Sequence, residues 1–73
     1  MAQIKIRSEL HATVWKIEVT PGDRVAEGDT LLLLESMKME IPVTAPCNGT
    51  VTAIQVKQEQ VVVEGELLAT LES

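Results

Sequence analysis

Apolar and polar residues alternate in short runs along this chain, and each run stops at a cluster of turn formers. Period-two alternation over four to eight residues signals a strand, because successive side chains there point to opposite faces. By that rule Gln3 to Arg7 is one strand and Thr13 to Val19 a second. The second changes register: Val14 belongs to one alternation, Ile17 and Val19 to the other, which predicts a bulge near Trp15 and Lys16. Thr20-Pro21-Gly22-Asp23 reads as a tight turn and Arg24-Val25 as a very short strand. Glu27-Gly28-Asp29 reads as a turn whose glycine supplies a positive φ, and Thr30 to Glu35 as the fourth strand.

The pattern then begins again. The chain matches itself without a gap at a separation of 37 residues, as between Gly28 and Gly65 or Val14 and Val51. Ile4/Ile41, Thr13/Thr50, Ile17/Ile54, Val25/Val62, Leu31/Leu68, Leu34/Leu71 and Glu35/Glu72 are further identical pairs. Residues 1–36 and 38–73 therefore read as two copies of one unit with pseudo-twofold symmetry. The second copy supplies strands at Glu40 to Thr44, Thr50 to Val56, Val61-Val62 and Leu67 to Leu71. A copy of about 36 residues is smaller than an unaided core requires, so a single domain over 1–73 is expected. The fold class is all-β: two four-stranded antiparallel sheets closed into a flattened barrel or sandwich, with few open edges. A helix over Glu27 to Lys38 is the rival reading, and Gly28 and the repeat oppose it.

Composition narrows the function. The chain is 45% hydrophobic but 1% aromatic, so the core is Val, Ile and Leu, and the lone ring, Trp15, reads as packing. A formal charge of −5 excludes nucleic acid, which needs clustered Lys and Arg, and leaves a surface suited to solubility or to basic grooves on partners. Cys47, the single cysteine, has neither a disulfide partner nor a ligand cluster. The longest apolar run, Leu31 to Leu34, falls far short of the roughly 20 residues of a membrane span. Met1 to Ile6 lacks the apolar stretch of a leader, so a cytoplasmic protein, monomeric in isolation, is expected. His11 has no nucleophile placed beside it by any motif, and an autonomous enzyme is the weakest class.

The junction between the copies is Met37-Lys38-Met39, at the connection of the fourth and fifth strands. Such a hairpin tip projects into solvent, where another protein can reach it. Its counterpart in the second copy is the chain end after Ser73, so there is one such tip. An exposed lysine is ordinarily a solvated charge. Exposed methionines beside it gain little from folding, yet suit adaptable contact with a partner, unless they fold back onto the sheet.

Glu35-Ser36-Met37-Lys38-Met39-Glu40 resembles the biotinylation motif of biotinyl domains, in which the central lysine of Met-Lys-Met is modified. The likeness spans nearly the whole chain, through Pro21-Gly22-Asp23, Glu27-Gly28, Ala45-Pro46 and Gly49, and is nearest to small standalone biotin/lipoyl attachment proteins. The resemblance implies a barrel-sandwich hybrid fold and biotin joined to Lys38 by a biotin ligase. Glu35, Met37, Met39 and Glu40 are then its candidate recognition residues. It also implies a non-catalytic carrier of carboxylate between a biotin carboxylase and a carboxyltransferase. Two departures stand out: there is no room for the protruding loop of some bacterial carriers, and Ser36 replaces the usual alanine. Lipoyl domains share the fold but typically spell Asp-Lys-Ala at the acceptor, so biotin is favoured and lipoate is the alternative. The third reading is an unmodified acidic interaction module, which would not need Lys38.

Overall fold

The structure is a computed structural model in which residues 2–73 are described; Met1, where the reading for a leader began, lies outside the described residues. Eight strands follow one another: β1 Gln3–Arg7, β2 Ala12–Ile17, β3 Arg24–Val25, β4 Thr30–Ser36, β5 Met39–Thr44, β6 Gly49–Ile54, β7 Val61–Val62 and β8 Leu67–Glu72. They form two four-stranded sheets in the orders β1-β8-β6-β3 and β5-β4-β2-β7, and all pairings are antiparallel. The rival helix over Glu27 to Lys38 is absent, since that segment is the Gly28 turn followed by β4.

The expected closure does not occur. Among the described residues no ladder joins one sheet to the other, so the fold is an open sandwich with edges at β1, β3, β5 and β7. Strands β3 and β7 have two residues each, too short to extend a ladder around a corner. On the other side a cavity of about 400 Å³ separates β1 from β5, lined by Ile6, Leu10, Ile41 and Pro42 among others. Pro42 lacks the N–H a further strand would need, and an edge is where a strand tolerates it.

The bulge lies where the alternation slipped. Val14 pairs with Leu34 and Lys16 with Leu33, which leaves Trp15 as the extra residue. The same shift recurs 37 residues later, between Val51 and Ala53. Trp15 is 42% exposed, contrary to its reading as packing, because the bulge turns it away from the interior. The two long strands also end earlier than expected, at Ile17 and Ile54. Beyond them Val19 and Val56 leave the ladder to enter the core as the chain crosses between sheets.

The core forms two clusters, and each draws on both halves of the chain. Leu31 packs with Val51, Ala69 and Leu71, while Leu68 packs with Val14, Leu32 and Leu34. Successive residues Leu31 and Leu32 are both buried because a register shift after Thr30 turns them toward different clusters. Neither half therefore encloses its own leucines.

Gly49 opens β6 at a close approach: a Cβ there would lie 2.8 Å from the carbonyl oxygen of Glu72. That oxygen is backbone and cannot swing aside. Gly49→Ala is expected to lower stability by about 1–3 kcal/mol, through the strain of overpacking, in urea unfolding.

Candidate functional site

The ladder between β4 and β5 runs Leu34 to Ile41, Glu35 to Glu40 and Ser36 to Met39, and it leaves two residues, Met37 and Lys38, to reverse the chain. A two-residue connection matches the right-handed strand twist when both residues have positive φ, the type I′ arrangement. Met37 has φ 53° and Lys38 φ 65°. Such turns prefer Asn-Gly, because a Cβ in the left-handed region costs about 1–2 kcal/mol. The tip thus holds Met and Lys against local preference. Met39, expected in the tip, is the first residue of β5.

All five residues singled out in the sequence meet on this one hairpin. Met37 is 91% and Met39 65% exposed, so neither folds back onto the sheet. Lys38 is exposed, and the one ion pair among the described residues lies elsewhere, between Lys16 and Glu18 at 3.8 Å. Glu35 and Glu40 face each other across the ladder, both exposed. Like charges directly opposite are destabilising, and among the described residues no cation lies within ion-pair distance of them. A left-handed Met-Lys turn, bare methionines and opposed carboxylates all work against folding, and all sit within six residues of Lys38.

An amine that acts as an acyl acceptor must be reachable and free of a competing partner, and Lys38 meets both conditions. Lys5, Lys16 and Lys57 are exposed as well, but Lys5 and Lys16 lie within strand ladders and Lys57 lies in the connection between β6 and β7. Lys38 alone stands in a two-residue turn. The residues present therefore fit a prosthetic group joined through an amide.

A family model described as biotin-requiring enzyme, of the biotin/lipoyl type, matches residues 5–71. The chain belongs to this biotin/lipoyl family. Among relatives, this family member is 44% identical over 66 residues to the "Biotinylated protein TB7.3 homolog" of Mycobacterium leprae, covering 90% of this chain and 93% of that one. It is 44% identical over 59 residues to the biotin carboxyl carrier protein of Streptococcus mutans, covering 81% of this chain and 45% of the carrier. The crystal structure of Kluyveromyces lactis urea carboxylase superposes with a TM-score of 0.92 at 32% identity, over 99% of this chain and 6% of that enzyme.

Sequence reasoning missed the surroundings of Trp15. The ring borders an open cavity of about 360 Å³ together with Thr13, Val14, Glu35, Gln58 and Glu59, so it adjoins the hairpin that carries Lys38. One signal was available: Trp15 stands where the second copy has a polar residue, Thr52.

Proposed function

We propose that this is a biotin carboxyl carrier domain and that Lys38 is its attachment point. The observation that carries the proposal is an exposed, unpaired lysine held in a left-handed two-residue turn. Family membership and the carrier and carboxylase likenesses supply the identity of the group.

Loading is an acyl transfer. The Lys38 Nζ attacks the acyl carbon of biotinyl adenylate on a ligase; the new C–N amide forms, the acyl–O bond breaks, adenylate leaves, and the amine proton passes to the ligase or solvent. Deprotonation and activation of the amine fall to the ligase. This chain presents the amine on a rigid hairpin. A disordered tip would lose ordering entropy at each docking. Met37 and Met39 offer adaptable apolar contact, and Glu35 with Glu40 a negative pair for a basic surface on the ligase. Biotin, when bound, supplies a ureido nitrogen that holds carboxylate between a biotin carboxylase and a carboxyltransferase. The domain itself contributes reach and presentation, and catalysis belongs to those partners.

Intact mass after coexpression with a biotin ligase tests the proposal. Wild type should gain one biotinyl group, while Lys38→Ala and Lys38→Arg should gain none, leaving Lys5, Lys16 and Lys57 unmodified. An adduct of lipoyl mass alone, formed with a lipoate ligase, would overturn the cofactor. Biotin on Lys38→Arg would overturn the site.

A further inference from the structure

At a separation of 37 residues, the cavity beside Trp15 contains three positions that agree between the copies and three that differ. Thr13, Val14 and Glu35 match Thr50, Val51 and Glu72. Trp15, Gln58 and Glu59 stand where the other copy has Thr52, Pro21 and Gly22. Each departure puts a larger or more polar side chain in place of its counterpart, and all three line one hollow. Glu59 adds an independent sign. Its φ is 72°, in the region its counterpart Gly22 (φ 99°) enters freely, and its N–H donates to the Val14 carbonyl at 2.6 Å. A glutamate is disfavoured in that conformation, and such outliers gather at functional sites.

We propose that this hollow is a docking site for the ureido ring of the group tethered to Lys38, an inference that rests on the function proposed above. A cyclic urea presents two N–H donors, one carbonyl acceptor and an apolar fused ring. The Glu35 and Glu59 carboxylates accept from the N–H groups, the Gln58 amide donates to the carbonyl, and the Trp15 face covers the apolar ring. Length permits it. Glu35 lies three residues before Lys38, a separation of at most about 10 Å even for an extended chain. The lysine and acyl arms together make about ten single bonds of about 1.5 Å, which zigzag to roughly 12 Å. Docked there, the ring is held against the domain between visits to partners.

Trp15 is the one tryptophan, and the chain has no Tyr or Phe, so its emission reports on this hollow alone. Apo and fully biotinylated protein, with loading verified by mass, are compared by acrylamide quenching. A blue-shifted emission and a quenching constant about twofold lower in the loaded form are expected. Glu59→Gly, whose backbone suits glycine, should load normally but lose at least half of that protection. Equal quenching of apo and loaded wild type overturns the docking site, as does full protection retained in Glu59→Gly. Failure to load at all instead overturns the carrier function, and mass spectrometry separates the two cases.

Discussion

Leu68→Ala is expected to lower stability by about 2–5 kcal/mol, whereas Val61→Ala changes it by no more than about 0.5 kcal/mol. Leu68 has no exposed surface and shares a core cluster with Val14, Leu32 and Leu34 from the first half of the chain. Val61, in β7, is 57% exposed, so truncating it opens no cavity. At about 0.05–0.15 kcal/mol per residue, a domain of 73 residues has roughly 4–11 kcal/mol in all, and the Leu68 cavity removes a large share of it. Each kcal/mol lost lowers Tm by about 4–8 °C in a domain of this size. Because each cluster takes its leucines from both halves, the loss should appear as one cooperative transition shifted downward. Circular dichroism during thermal and urea unfolding checks this. Two separable transitions, or a Leu68→Ala effect as small as that of Val61→Ala, would contradict the interleaved core.

Most strand boundaries were legible because turn chemistry and alternation agree there. Gly28 and Gly65 both adopt positive φ, at 91° and 88°, and the bulges at Trp15 and Thr52 fall where the apolar register slips. The tip was legible too, since Met37 and Lys38 occupy the connection between two strands that pair along their whole length. What escaped has physical reasons. Alternation tells which face a residue takes but not which strand is its neighbour, so the open edges of β1 and β5 were not visible. A bulge interrupts the alternation, so the pattern assigns no face to the residue inside it, and only its aromatic character reads Trp15 as packing. Val19, partly buried, and Val56, buried, pack on the core outside any ladder, and apolar character alone extends β2 and β6 to include them. The left-handed backbone of Glu59 is signalled only by its counterpart, Gly22.

Replacing Met37-Lys38 by Asn-Gly is expected to make the domain more stable and to abolish loading. Both positions lie in the left-handed region, at φ 53° and 65°, where Asn and Gly meet little or no Cβ penalty. Relief at the two residues, less the entropy glycine adds to the unfolded chain, should amount to about 1–2 kcal/mol, seen as a rise in Tm. The same variant lacks the acceptor amine, so mass spectrometry after incubation with the ligase should show no adduct. Met37→Asn alone separates the two effects, because it keeps Lys38, recovers part of the stability, and loads more slowly to the extent that the Met37 side chain contacts the ligase. A double variant no more stable than wild type would show that the turn carries no strain. The expected gain has a direct meaning: at Met37 and Lys38 local folding preference favours a different turn.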